Sequence, residues 1–343
     1  MQALEYNGPW DISIVDRPTP VAGDDQTLIE IIATGICGSD AHGYSGETGR
    51  RTQGQVMGHE TVGRVVGGSD AFTAGSLVTI NPIISCGHCE YCLEGESQVC
   101  TEAVVIGVDP ALDGSFAELL VVPTRNVVAL GDRVPLLHGA FVEPLAVGYH
   151  AVMRGNPRVD DKLLILGGGP IGQAVALGAR RAGVTSILVS EPAPARRDLL
   201  EQLGFSTTAP DGLDAAVLSA LGGKATLVVD AVGIAQSFAS AVEHSTTRAR
   251  LVLVGMGSSE FSIKPYGITV AERVLIGSYC YSDEHFRSTA EWVGEGHPDL
   301  DLLIDRTLLL TDGPEAFRSV AEGTGGSNKT LLLSRQLAEG EDL

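Results

Sequence analysis

The chain has 343 residues, 44% of them hydrophobic, which is enough for two domains with separate cores. Its net charge of −20, without any basic stripe, argues against nucleic acid and anionic membrane as partners. No apolar run approaches the roughly 20 residues of a membrane span. Met1 to Trp10 lacks the basic and apolar regions of a signal peptide, so a cytoplasmic location is expected.

Residues 1 to about 146 read as β-rich, with short apolar runs at 27–35, 61–68 and 76–84 separated by Gly and Pro. Cys37 lies in "GICGSDAHGYSG", and His59 and Glu60 lie in "GQVMGHETVGRVVGG". A thiolate, an imidazole and a carboxylate are zinc donors, but none of these spacings is decisive alone. A lone apolar cysteine is more often core, and a lone His-Glu pair more often surface. The next motif is stronger. Cys86, Cys89, Cys92 and Cys100 follow C-x2-C-x2-C-x7-C and can close a tetrahedral shell around one zinc. Their crowding argues against disulfides. A closed shell leaves no open position, so this zinc is expected to be structural.

From Pro144 the pattern changes. "LAVGYHAVMRG" (145–155) has helical spacing, after "FVEP" has supplied Glu143. Apolar strands at 162–167, 186–191, 226–233, 249–257 and 273–281 then follow, with helices at 170–183 and 195–204 between the first of them. That alternation predicts a parallel sheet covered on both faces. Gly167, Gly169 and Gly172 are in G-x-G-x-x-G register after a strand, with Pro170 and Ile171 opening the helix. Such glycines allow the tight turn, the approach of backbone to a pyrophosphate, and close helix packing. Glu191, 19 residues after Gly172, can accept ribose hydroxyls and would repel a 2′-phosphate, which favours NAD over NADP. Arg196 and Arg197 carry the opposing signal, although Arg196 is also able to contact the ribose of NAD. The final 60 or so residues are mixed, and the acidic tail 338–343 is expected to fray.

"GICGSDAH", "GHETVGRVV", the four-cysteine lobe, "VEPLAVGYHA" and "LGGGPIG" occur in one order and spacing along essentially the whole chain. In this the sequence resembles the zinc-dependent medium-chain dehydrogenases/reductases, and within them the polyol branch of sorbitol and butanediol dehydrogenases. The resemblance implies an α/β fold of three segments. These are a GroES-like β-rich catalytic domain over 1–146 with a structural zinc lobe, a Rossmann doubly wound parallel-sheet domain over 147–282, and a segment, 283–343, returning to the catalytic domain. It also implies two zinc ions per subunit, NAD as cofactor, and hydride transfer between a secondary alcohol, diol or polyol and the nicotinamide.

The same resemblance assigns roles to residues. Cys37, His59 and Glu60 match the catalytic zinc motif, and Glu143 matches a further carboxylate that binds the zinc directly or through water. Asp40 matches the carboxylate that hydrogen-bonds the zinc-bound histidine. Ser39 and His42 match the relay that carries the substrate proton to solvent. Val232, Val254 and Tyr279 match positions lining the nicotinamide. Sorbitol-type enzymes carry an arginine and a tyrosine where this chain is read as Cys280 and Tyr281, so a smaller secondary alcohol or vicinal diol fits as well. Tyr44 and the loop 45–55 are expected to wall the substrate pocket, with Arg50 or Arg51 reaching a polar or anionic substrate. A homodimer or homotetramer is implied, with the apolar strand 273–281 inviting pairing between copies. The competing readings are an NADP-dependent carbonyl reductase and a non-catalytic NAD(H)-binding zinc protein.

Overall fold

A computed structural model describes residues 1–131 and 133–335; the acidic tail expected to fray lies outside the described residues. The chain forms two compact units, one built from Met1–Glu143 with the chain from Ser282 onward, the other from Pro144–Tyr281. Among the described residues no helix is long and apolar enough to cross a membrane.

The first unit is organised around the strand Gln26–Gly35, whose side chains are buried along most of its length. It pairs antiparallel with Glu60–Gly68 along one edge, and along the other with Leu119–Pro123 and then Lys329–Leu333. Val127–Ala129, Leu77–Ile80 and Ile304–Leu309 complete this seven-stranded sheet. Ile29, Ile31, Val65, Val78, Ile80 and Val122 make its core. Leu4, Phe116 and Phe317 belong to a second core, where Trp10, Tyr44, Phe317 and Phe116 form an edge-to-face chain with centroids 5.5, 5.7 and 5.1 Å apart. Tyr44, expected to wall a pocket, is enclosed in this core. It is 1% exposed and donates its hydroxyl to the Trp10 carbonyl at 3.1 Å.

The second unit carries a six-stranded parallel sheet. Its order is Ser206–Thr208, Ser186–Ser190, Lys162–Leu166, Ala225–Asp230, Ser245–Leu253, Val274–Gly277. In sequence order these strands run 3-2-1-4-5-6, the doubly wound arrangement that reverses direction beside its first strand. Leu164, Leu188, Val228 and Leu251 pack beneath helix Leu213–Leu221. The expected strands end before their apolar runs do, by one residue at 162–167 and 186–191 and by three or four in the others. The run 226–233 stops at Asp230 because that carboxylate accepts the amides of Val232 and Gly233, at 2.9 and 3.0 Å, and turns the chain. The run 273–281 stops at Gly277, and Cys280 beyond it takes a left-handed backbone with φ 44°. Tyr281 is fully buried, 1% exposed.

Candidate active site

The metal-ligand candidates of the first unit come together through strand register. Gly35 pairs with Glu60, so the chain leaving one strand and the chain entering its neighbour run side by side. Cys37 follows the first strand as N-cap of the helix Gly38–Tyr44, and Asp40 Oδ2 accepts the Cys37 amide at 3.2 Å, fixing that turn. Glu60 opens the second strand, and His59 immediately precedes it. The ligand atoms of Cys37, His59 and Glu60 lie within 4.8 Å of one another, with both His59 and Glu60 buried.

This trio fits a divalent cation. His59 Nδ1, Glu60 Oε2 and Asp40 Oδ1 are buried without hydrogen-bond partners. Nδ1 of His59 faces Asp40 Oδ1 at 3.6 Å, which leaves Nε2 as the ring's other donor atom. The surrounding field is negative. Burial works against the charged His59 ring, yet Asp40, Cys37 and Glu143 together outweigh it and hold its pKa well above the usual value. Glu143, the second residue of the helix Val142–Arg154, is outside the close trio, but its charge reaches His59 and Lys329.

Lys329 was not singled out by the sequence. It opens the strand Lys329–Leu333, is 4% exposed, and donates to Glu60 Oε1 at 2.7 Å. Burial works against its charge, but Glu60, Cys37 and Glu143 raise its pKa above the usual range. The available signal was a cation at the edge of an apolar strand, which needs an anion if it is buried.

Ser39 is half-buried in the first turn of the helix Gly38–Tyr44. His42, one turn further, is exposed, and its Nδ1 sits 2.7 Å from Glu47 Oε2. The hydrogen bond from His42 holds the Glu47 carboxyl below the usual range. Glu47 was another residue the sequence did not mark. In the loop that follows, Arg50 is exposed, whereas Arg51 turns inward, 2% exposed, with Nη2 3.5 Å from Asp40 Oδ1.

The four cysteines form the second metal-competent cluster, their sulfurs all within 4.8 Å of one another. Cys86 Sγ and Cys92 Sγ are 3.9 Å apart, close to the about 3.8 Å edge of a tetrahedron with Zn–S near 2.3 Å. The Cys89 amide points at Cys86 Sγ from 3.4 Å, and the Cys86 amide at Cys100 Sγ from 3.5 Å. A hydrogen bond from the Cys92 backbone favours the Cys89 thiolate, but burial and the three neighbouring sulfurs push its pKa up to about 12.

The nucleotide-binding candidates lie at the carboxyl ends of adjacent strands in the second unit. After Leu166 the chain turns at Gly167, with φ 92°, and the helix Pro170–Arg181 starts from Gly169 with Pro170 in its first turn. A Cβ on Gly172 would stand 1.9 Å from the Gly167 carbonyl oxygen, so the helix meets the turn only through a glycine. Ile171 follows Pro170 in that first turn. Glu191 follows Ser190 and is buried. Its Oε2 accepts the Gly168 amide at 2.7 Å and its Oε1 the Ala193 amide at 2.8 Å. Arg196 Nη1 is 4.0 Å from Glu191, while Arg197 donates to the Glu191 and Pro192 carbonyls. Val232 packs over Gly167, the Val254 amide donates to Asp230 at 3.1 Å, and Tyr279 is 49% exposed beyond the last strand. A helix N-terminus and glycine turn at a sheet reversal are suited to a pyrophosphate.

The comparisons with known proteins agree with this architecture. Residues 23–132 match the alcohol dehydrogenase GroES-like domain, and residues 170–295 match the zinc-binding dehydrogenase family. The chain is 32% identical over 339 residues to the 2-dehydro-3-deoxy-L-galactonate 5-dehydrogenase of Pseudoalteromonas atlantica, covering 97% of this chain and 98% of the relative. Among solved structures it superposes on RspB of Escherichia coli, complexed with NADH, with a TM-score of 0.88 at 26% identity, covering 97% of this chain and 99% of the other. A putative zinc-binding dehydrogenase from Sinorhizobium meliloti, bound to NADP, gives a TM-score of 0.88 at 29% identity, covering 97% and 98%. The chain belongs to the zinc-type medium-chain dehydrogenase/reductase family and is an oxidoreductase.

Proposed function

We propose that this oxidoreductase is zinc- and NAD-dependent and moves a hydride between the carbinol carbon of a secondary alcohol, diol or polyol and the nicotinamide. The observation that carries this reading is the buried trio Cys37, His59 and Glu60, set within 4.8 Å, with His59 Nδ1 and Glu60 Oε2 left without hydrogen-bond partners. These residues, with Glu143 directly or through water, would hold one zinc, and Cys86, Cys89, Cys92 and Cys100 the other. Bound at the trio, zinc supplies a Lewis acid toward the substrate hydroxyl.

The remaining work falls to the chain. Asp40 faces His59 Nδ1 and keeps the opposite nitrogen available. Lys329 offsets the charge of Glu60 and holds one of its oxygens. Ser39 takes the proton from the substrate hydroxyl, and His42, exposed beside Glu47, passes it to solvent. In the nucleotide site, Gly167, Gly169, Pro170, Ile171 and Gly172 shape the pyrophosphate turn, and Val232, Val254 and Tyr279 line the nicotinamide side. Glu191, fixed by two backbone amides, presents a carboxylate to the ribose, with Arg196 beside it. The relative's name, that of a sugar-acid dehydrogenase, supports a hydroxylated substrate. One structural neighbour holds NADH and another NADP; the Glu191 carboxylate, which would repel a 2′-phosphate, supports NAD for this chain.

Initial rates on a panel of diols, polyols, secondary alcohols and sugar acids, each with NAD and NADP, test this reading through the absorbance of the reduced cofactor. NAD is expected to give the higher kcat/KM, and Glu191→Gln to erode that preference by about tenfold, or about 1.4 kcal/mol. A wild-type preference for NADP would overturn the role of Glu191. Absence of turnover across the panel would overturn the substrate class.

We further propose a homodimer or homotetramer in the cytoplasm, where cysteine ligands stay reduced. Support for assembly comes from the edge strand Val274–Gly277, which pairs with Ser245–Leu253 on one side only among the described residues. Val274 and Leu275 are 51% and 40% exposed, and Val270 nearby is 70% exposed. An apolar strand edge of this kind is a template for a second copy. Light scattering at micromolar concentration is expected to give at least twice the 35.7 kDa chain mass; the mass of a single chain would contradict it.

A further inference from the structure

We propose that Arg51 is a positioning residue of the metal site, clamping Asp40 and through it the ring of His59; this rests on reading His59 as a metal ligand. A charged guanidinium is rarely buried without a partner or a task. The Arg51 side chain is 2% exposed and Asp40 fully buried. Arg51 Nη1 donates to the Val108 carbonyl at 2.9 Å, which anchors one end of the guanidinium. Its Nη2 lies 3.5 Å from Asp40 Oδ1, and the same oxygen lies 3.6 Å from His59 Nδ1. One carboxylate oxygen thus stands between a guanidinium and an imidazole, and its partner Oδ2 is held by the Cys37 amide.

The niche that admits Arg51 is made by a missing side chain. A Cβ on Gly43 would stand 2.8 Å from Arg51 Nε and 2.9 Å from its Cγ. The helix that carries Cys37 at its cap and Asp40 in its first turn therefore leaves room for the arginine at its far end. Arg50, the neighbouring residue, is exposed, so the loop commits only one of its two cations to the interior. A guanidinium so enclosed and aimed at Asp40 is not placed to greet a substrate. It limits the positions open to Asp40, and Asp40 limits the rotation of the imidazole. Orienting contacts of this kind are worth about 10–100-fold in metal affinity or activity.

The test measures metal on the purified holoenzyme as well as turnover. Wild type, Arg51→Met, Arg51→Lys, Asp40→Asn and the Arg51→Met/Asp40→Asn double variant are titrated with a chelator, and the lobe zinc serves as internal control. Cobalt exchanged into the catalytic site gives its visible spectrum as a second readout. Arg51→Met is expected to loosen the catalytic-site metal about 10–100-fold, shift the cobalt spectrum and lower kcat with KM nearly unchanged, while the lobe metal stays. Arg51→Lys should recover part of the loss. In the Asp40→Asn background, removing Arg51 should add little, the signature of one shared pathway. Unchanged metal affinity and spectrum in Arg51→Met would overturn the proposal, as would a rise in KM alone or an equal loss in the Asp40→Asn background. If Arg51→Met does not fold, Arg51→Lys and Gly43→Ala, which displaces the guanidinium, decide by the same readouts. A wild type holding only the lobe zinc would instead sink the ligand reading of His59.

Discussion

Replacing His59 by Ala is expected to lower kcat by about a thousandfold or more while the protein remains folded. A metal acting as Lewis acid contributes several kcal/mol to the transition state, and about 4 kcal/mol corresponds to a thousandfold in rate. The ring is the only nitrogen donor of the trio, and Cys37 and Glu60 alone do not complete a zinc site. The fold should survive because the sheet on which Glu60 lies is held by backbone register and by apolar cores that exclude His59. Asp40, left behind in the interior, keeps Arg51 and the Cys37 amide as partners. The measurements are kcat, circular dichroism and zinc per subunit, which should fall from two to one. Undiminished turnover would refute the catalytic assignment.

Replacing Cys89 by Ser is expected to act on stability first. The lobe from 86 to 100 has little core of its own to hold it, so on the proposed reading its zinc must. Its helix Glu90–Leu93 buries none of its residues, and Tyr91, Leu93 and Val99 are exposed. Only Gln98 and Cys100 are buried in this stretch. A segment without a core folds around its ion, and structural zinc contributes about 10–16 kcal/mol of binding energy in small peptides. Here only the lobe depends on it, so a global loss of about 2 kcal/mol is expected, roughly 4–8 °C in Tm. One zinc per subunit should be lost and the lobe should become open to proteolysis. Activity should fall only afterwards, as the protein unfolds or dissociates. Activity lost with Tm, zinc content and mass intact would overturn this division of labour.

The clusters legible in the sequence are those formed over short separations. The four cysteines span one loop, and the three glycines lie between a strand and the helix it feeds, so their spacing dictates their geometry. The Asp40–Cys37 turn is equally local. Other features depended on partners far along the chain. Lys329 reaches Glu60 across 269 residues by strand pairing, and the apolar strand beside Lys329 signals a buried cation without naming its partner. Arg51 and Tyr44 read as loop and pocket residues from their polar neighbourhood, but burial is decided by what packs on them. For Arg51 that is the bare backbone at Gly43; for Tyr44 it is Phe317.

Sequence by itself determined the family, the parallel-sheet unit, the donor types of two candidate metal clusters and the glycine turn, because each follows from residue chemistry at fixed short spacing. Only the tertiary structure decided which side chains are enclosed around those donors. The physical reason is that desolvation and charge pairing belong to a volume, and that volume is assembled from segments the chain keeps far apart. Cys37, His59 and Glu60 are zinc-like donors in any context. The buried Asp40, Lys329 and Arg51 around them appear only once the strands are paired.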